Sequence, residues 1–264
     1  QKPEHKRSIY PAIPPLPQAR TGTPPDKLFR ADRENWPRRN GHMQATRQCS
    51  IVIPALDEEN GISETLQQIR SLEKSTGLEI EIVVVDDGSR DRTGKMARDI
   101  GATIIRHPAP AGYGHSLKDG IRAARFDAIV IADADGTYPL DRIPDLLKEY
   151  DEGFDMVVGA RTGSEYRESL LKLPLRFVLK WLVEFTAGRK IPDINSGFRI
   201  FSRRTALGYL ERLCDTFSFT TGMTLAYMLT GRFVQYIPIA YHKRQGKSKV
   251  RLFRDSLRTM QYIV

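Results

Sequence analysis

The chain has 264 residues and a mass of 30.0 kDa, room for one large or two small domains. Hydrophobic residues at 40%, charged residues at 28%, 16 Pro and only 2 Cys exclude a disordered chain, a collagen and a disulfide scaffold. Lys and Arg exceed Asp and Glu by 41 to 32, and the resulting +9 points to an acidic partner: nucleic acid, anionic lipid or a phosphorylated substrate.

Residues 1–42 stand apart, because eight of the sixteen prolines fall there and nine basic residues face four acidic ones. Segments such as Pro11-Ala-Ile-Pro-Pro-Leu-Pro17 favour extended polyproline conformations and build no core. Gly41-His42-Met43 resembles a cloning-site remnant, so the segment reads either as extraneous to the natural chain or as a genuine basic arm. Cys49 and Cys214 lack CxxC spacing, which excludes a cysteine-built zinc site and suggests a reducing compartment. No run of about 18 apolar residues predicts a membrane span, and no apolar segment near the N-terminus predicts a secretory signal.

From residue 49 short apolar runs alternate with helical patterns. Ser50-Ile-Val-Ile-Pro-Ala55 predicts a buried strand, followed by a helix over 62–75. Glu79-Ile-Glu-Ile-Val-Val-Val85 predicts a second strand and 91–100 a helix. A third strand over 102–106 precedes a helix over 112–125, and Ala128-Ile-Val-Ile-Ala132 is a fourth strand ending at Asp133. Such alternation implies right-handed βαβ units in a mostly parallel sheet, whose ligand crevice lies outside the carboxyl ends of the strands. Those ends carry Pro54 to Glu58, Asp86-Asp87, His107 and Asp133-Ala-Asp135, so acidic residues collect on one rim. Beyond a strand over 155–159 the pattern loosens into helices over 170–186 and 217–229 and a strand over 233–239. The segment Lys247 to Val264 is basic and amphipathic.

Asp133 and Asp135, two apart on a turn after an apolar strand, offer the hard oxygen ligands that Mg²⁺ or Mn²⁺ prefers beside substrate phosphates. Asp86 lies directly after Val85, where an uncompensated carboxylate is costly and a donor such as a base N–H would satisfy it. The competing reading of this segment is turn and N-cap chemistry through Ser89 or Asp91. Glu58 could accept from ribose or base, or serve as a first-turn helix acid. Gly112-Tyr-Gly114 lacks the rest of a dinucleotide fingerprint and reads as a close-approach turn. His107, His115 and His242 show no ligand spacing and read as surface residues or as supports behind a site.

The ordered series Ile-Val-Ile-Pro54-Ala-Leu-Asp-Glu58, Val-Val-Asp86-Asp-Gly-Ser and Ala-Asp133-Ala-Asp135 resembles inverting glycosyltransferase family 2, with its GT-A fold. The likeness continues through Gly159-Ala-Arg161, Asp193-Ile-Asn-Ser-Gly-Phe-Arg199 and Arg244-Gln-Gly-Lys-Ser-Lys249, which resembles the branch making polyprenyl-phosphate sugars. That resemblance implies an α/β, Rossmann-like GT-A domain over 43–249, followed by a basic segment over 250–264 that could lead into a membrane region. It implies that Pro54, Glu58 and Asp86 hold the nucleoside, and that Asp133 and Asp135 hold the metal, Mg²⁺ or Mn²⁺, and the diphosphate. Arg161, Ser196, Arg199, Arg244 and Lys249 would face the donor diphosphate or the acceptor phosphate. Thr137 stands where mannose synthases commonly place a Gln metal ligand.

The implied reaction moves glucose or mannose from UDP-glucose or GDP-mannose to a dolichyl or undecaprenyl phosphate at the cytoplasmic face of a membrane. A phosphate acceptor is already ionised near neutral pH, so the site's task is to position anions with guanidinium forks. Asp193 is the base if the acceptor is a sugar hydroxyl, or else a loop residue orienting Arg199. One alternative is a family relative acting on a saccharide or a small phosphorylated acceptor. A nucleic-acid-binding module is the distant one, disfavoured because the cations do not interleave with aromatics and no reader motif appears.

Overall fold

The structure, a computed structural model, describes residues 45–162 and 181–242. Seven strands form one sheet: β1 (Gln48–Ala55), β2 (Glu79–Asp86), β3 (Thr103–Arg106), β4 (Ala128–Ile131), β5 (Met156–Thr162), β6 (Arg199–Ser202) and β7 (Val234–Ala240). Their order is β3-β2-β1-β4-β6-β5-β7. β6 runs antiparallel to both β4 and β5, while the other pairings are parallel. The sheet is therefore the mostly parallel one expected, with one reversed strand inserted.

Helices cover both faces. They are α1 (Ile62–Thr76), α2 (Thr93–Asp99), α3 (Tyr113–Ala123), α4 (Ile143–Asp151), α5 (Arg203–Leu207) and α6 (Phe219–Leu229), and residues 181–187 are also helical. Successive strand residues point to opposite faces, and a strand buried on both sides must be apolar at every position. β1 obeys this rule. Ile51 and Ile53 join Val84 and Val130 under Ile62, Leu66 and Ile69 of α1, and Ile143 and Leu146 of α4. Val52 joins Val83, Val85, Ile129 and Ile131 under Leu117 and Ile121 of α3, and Phe219 and Met223 of α6. Each such side chain contributes about 1.5–3 kcal/mol by leaving water.

The βαβ alternation of the first half is as the sequence predicts, with ends displaced by one or two residues. β6, α4 and α5 are additions. Of the helix expected over 170–186, residues 170–180 lie outside the described residues, as do the arm over 1–42 and the basic segment over 247–264. Among the described residues no helix is long and apolar enough to cross a membrane.

Candidate active site

The carboxyl end of β4 leads into the turn Asp133-Ala-Asp135 in the middle of the sheet. Asp135 is only 3% exposed, and its Oδ1 accepts from the Thr137 backbone N–H at 3.2 Å and the Thr137 hydroxyl at 2.6 Å. Asp133 is half-buried, and its Oδ1 accepts from the Tyr113 hydroxyl at 3.2 Å. Tyr113 opens α3, and its ring stacks on Phe217 at 5.0 Å. Burial, and then the nearby Asp133 charge, push the Tyr113 phenol pKa well up, so the hydroxyl stays protonated as a donor.

A second turn, Asp193 to Phe198, backs this one. The Gly197 N–H donates to the Tyr138 hydroxyl oxygen at 2.8 Å, and Tyr138 stacks on Phe198 at 5.4 Å and meets Tyr241 edge-on at 5.6 Å. A Cβ on Gly197 would come within 2.9 Å of the Tyr113 hydroxyl, 3.3 Å of the Tyr138 hydroxyl and 3.4 Å of Asp133 Oδ1. The glycine therefore keeps open the space against the first carboxylate. Two carboxylates in a three-residue turn, with a cradle that one methyl group would fill, are a donor set that fits a hard divalent cation.

The neighbouring strand ends are laced to one another. Asp57 Oδ1 accepts from the Arg90 N–H at 2.7 Å, the Asp57 N–H donates to Ser89 Oγ at 3.0 Å, and the Glu58 N–H donates to Thr93 Oγ1 at 2.8 Å. Asp87 accepts from the Ala111 and Gly112 N–H groups at 2.8 and 2.9 Å, and so holds the loop from β3 to α3. Pro54 is half-buried and Glu58 buried at the first strand end. Gly112-Tyr-Gly114 makes a close-approach turn: the Gly114 N–H donates to the Asp215 carbonyl at 3.0 Å, and Gly112 has φ 118°.

On the other side of β4, Arg161 at the end of β5 grips Asp193 through Nε at 2.7 Å and Nη2 at 2.9 Å, and its guanidinium carbon lies 5.3 Å from the Tyr241 ring centre. Asp193 also accepts from the N–H groups of Arg161 and Asn195 at 3.2 and 3.1 Å. Burial works to raise the Asp193 pKa, but the Arg161 guanidinium outweighs it and holds the carboxyl below its usual 3.8.

Comparison with known proteins gives the family. The model of glycosyl transferase family 2 matches residues 50–207. The chain belongs to glycosyl transferase family 2. It is 30% identical over 203 residues to a dolichyl-phosphate hexose transferase of Haloferax volcanii, covering 76% of this chain and 86% of that one. It is also 30% identical to the low-salt glycan biosynthesis hexosyltransferase Agl6 of the same organism, over 81% of this chain but only 52% of the relative. The chain thus spans about half the length of that hexosyltransferase. Among solved structures it resembles glucosyl-3-phosphoglycerate synthase from Mycobacterium tuberculosis, with TM-score 0.65 and 24% identity, covering 84% of this chain and 78% of that one. That likeness fixes the fold as GT-A.

Within this family 2 domain four of the expected site residues, Asp86, Ser196, Arg199 and Asp193, are paired with protein groups. Asp86 is fully buried, with Oδ1 accepting from the Ser89 N–H at 2.8 Å and Oδ2 paired to Arg106 Nη1 at 2.6 Å. Protein donors relieve its burial, and the carboxylate shapes the turn. Ser196 is fully buried too, and its hydroxyl donates to the Gly159 carbonyl at 2.6 Å, which ties the second turn to β5. Arg199 is among the largest fully buried side chains of the described residues. Its guanidinium donates to the Ser196 carbonyl, and through Nη1 to the Thr220 carbonyl and Thr224 Oγ1, both at 3.0 Å. Burial pulls its pKa down, and no phosphate could reach it without unpacking α6. Asp193, in turn, orients Arg161 and not Arg199. Arg244 and Lys249 lie outside the described residues.

Gly197 and Tyr113 emerge as site residues whose roles the sequence did not reveal. The signal for Tyr113 was available, since an aromatic between two glycines at a strand-to-helix turn on the acidic rim has little space except toward the neighbouring strand end.

Proposed function

We propose that this family 2 domain transfers a hexose, with inversion, from a nucleoside diphosphate sugar to a polyprenyl phosphate. The observation that carries the acceptor class is the state of Asp193. The one carboxylate nominated as a base is 2% exposed, gripped by a bidentate guanidinium and held below its usual pKa, so it is a poor proton acceptor near neutral pH. A sugar hydroxyl needs a base to attack. A phosphate monoester, with a second pKa near 6, attacks as an anion and needs none. The dolichyl-phosphate acceptor in the name of the Haloferax relative supports the same class.

In this reading Asp133 and Asp135 would hold Mg²⁺ or Mn²⁺, which supplies charge neutralisation for the departing diphosphate. Thr137 fixes the Asp135 carboxylate by two hydrogen bonds, and Tyr113 fixes Asp133 by one. Arg161, aimed by Asp193, adds a fixed positive charge beside the second turn. Pro54 and Glu58 border the nucleoside's place at the first strand end. An exposed aromatic pair, Trp181 and Phe185, stacks at 5.5 Å on the outer face of the helix preceding Asp193, and its apolar surface suits a lipid acceptor. Glucose or mannose as the sugar, and the cytoplasmic face of a membrane as the place, extend the proposal from the resemblance.

The test is a panel of labelled UDP-glucose and GDP-mannose against a short soluble prenyl phosphate, the matching prenyl alcohol, free sugars and phosphoglyceric acid. An organic-extractable, mild-acid-labile product from the prenyl phosphate alone is expected. Transfer to a sugar hydroxyl or to phosphoglyceric acid, with none to the prenyl phosphate, would overturn the acceptor assignment.

A further inference from the structure

A second cluster of side chains that can ligate a metal stands beside Asp87. His107 follows β3, while His115 and Asp119 stand four apart on α3 and therefore share one helix face. One ligand atom from each of the three lies within 4.8 Å of those of the other two. His107 Nε2 is 3.2 Å from Asp119 Oδ2, and His115 Nε2 is 3.4 Å from the same oxygen. Tetrahedral ligands at about 2.0–2.1 Å from a zinc-like ion stand about 3.3–3.4 Å apart. The two measured separations match that spacing.

The surroundings orient the cluster. His107 Nδ1 is 2.7 Å from Asp87 Oδ1, and a carboxylate only accepts, so the hydrogen sits on Nδ1. His107 Nε2 then faces the Asp119 oxygen. A carboxylate behind a histidine whose far nitrogen faces a shared centre is the arrangement that orients metal-binding imidazoles. His115 has a looser counterpart, with Nδ1 3.8 Å from Asp215 Oδ1, an oxygen that Lys118 Nζ also meets at 2.7 Å. The other Asp119 oxygen, Oδ1, is taken by Arg122 Nη1 at 3.0 Å, which leaves Oδ2 as the donor. The side chain of His107 is 10% exposed, that of Asp119 29% and that of His115 41%, so an ion has a route in and a face open to water.

We infer that His107, His115 and Asp119 form a second metal site, for a divalent ion of the zinc class. Two imidazoles and one carboxylate select such an ion over Mg²⁺ or Mn²⁺, which favour all-oxygen sets. The ion would clamp the start of the β3–α3 loop to the middle of α3. Asp87 holds the far end of that loop, and the next residue after Gly112 is Tyr113, the hydrogen-bond donor to Asp133. The site braces the loop on which the first carboxylate depends.

The experiment uses the full-length chain without a histidine tag, carrying Asp135→Asn so that the Asp133-Asp135 turn is disabled. Zinc chloride is titrated by calorimetry near pH 7, and melting is followed in EDTA and in zinc. One zinc per chain is expected, with a rise in melting temperature under zinc. Adding His115→Ala should weaken binding at least about tenfold and remove the zinc-dependent rise. Asp119→Asn is the second variant, and a melting curve in EDTA matching the parent certifies the fold of whichever is used. Absence of zinc binding to the parent would overturn the site, leaving a proton-held ion-pair network. Zinc binding unchanged by both substitutions would overturn it equally, because the ion would then sit elsewhere, as at His242.

Discussion

Asp135 is oriented by its own turn, while Asp133 is oriented by a tyrosine from the start of α3, and the two carboxylates should fail differently. Asp135→Asn removes a charge where the diphosphate needs its counter-ion, and turnover with a nucleoside diphosphate sugar should fall at least about a hundredfold. Near-normal turnover in saturating Mn²⁺ would remove the turn from the site. Gly197→Ala places a methyl group 2.9 Å from the Tyr113 hydroxyl and 3.4 Å from Asp133 Oδ1. Overpacking of this kind costs about 1–3 kcal/mol, and displacement of Asp133 should lower turnover further than that stability loss explains. Urea unfolding beside a donor-hydrolysis assay separates the two effects. Arg199→Ala strips the buried Ser196 carbonyl of its guanidinium donor, at about 1–3 kcal/mol before any cavity term, while the Thr220 carbonyl keeps the Thr224 hydroxyl. A marked drop in melting temperature is therefore expected. Should Arg199→Lys melt like the parent and lose lipid transfer while keeping donor hydrolysis, the phosphate role would return. At this scale the sequence shows which groups carry charge, but not which are already occupied. Asp86, Ser196 and Arg199 have the chemistry of ligands, and each is spent on a protein partner from a distant segment.

Elements are legible where local pattern and tertiary need coincide. β1, β2 and β4 lie inside the sheet with both faces covered, so their residues had to be continuous apolar runs, and those runs announce them. β6 is four residues long, begins with an arginine and owes its place to antiparallel pairing with β4 and β5. No local period encodes that insertion. It matters for function, because it brings the turn over 193–198 beside the end of β4. The Arg161–Asp193 pair then locks that turn to β5, and its pH dependence follows from the sign of the shift. The Asp193 pKa is lowered on folding, so the pair's contribution is fully present above the unfolded carboxylate pKa and is lost as pH falls through the lower folded value. The stability difference between the parent and Asp193→Asn should therefore be flat from about pH 5 to pH 8 and shrink below about pH 4. A difference that already closes between pH 5 and 7 would mean the carboxylate is not held by Arg161.

The whole chain carries +9, and the proposed reaction between two anionic substrates would give that excess a use. An anionic leaflet attracts basic segments with about 1 kcal/mol per Lys or Arg near the surface. The sequence places Lys247, Lys249, Arg251 and Arg254 close together in an amphipathic stretch that also carries Leu252, Phe253 and Leu257. The proposed lipid acceptor would meet the GT-A domain at that surface. Reversing these four charges should lower binding to vesicles containing anionic lipid by roughly 1 kcal/mol per residue, and the loss should shrink as salt approaches about 1 M, where the screening length falls to about 3 Å. Transfer to a short soluble prenyl phosphate should survive reversal of Arg251 and Arg254 alone, because that acceptor needs no membrane. Vesicle sedimentation across a salt series, paired with that soluble assay, separates attraction to the surface from chemistry at the turn. If the reversed protein sediments with vesicles as the parent does, the basic stretch is a solvated face. Attraction to the acceptor must then come from the domain itself, where Trp181 and Phe185 offer exposed apolar surface.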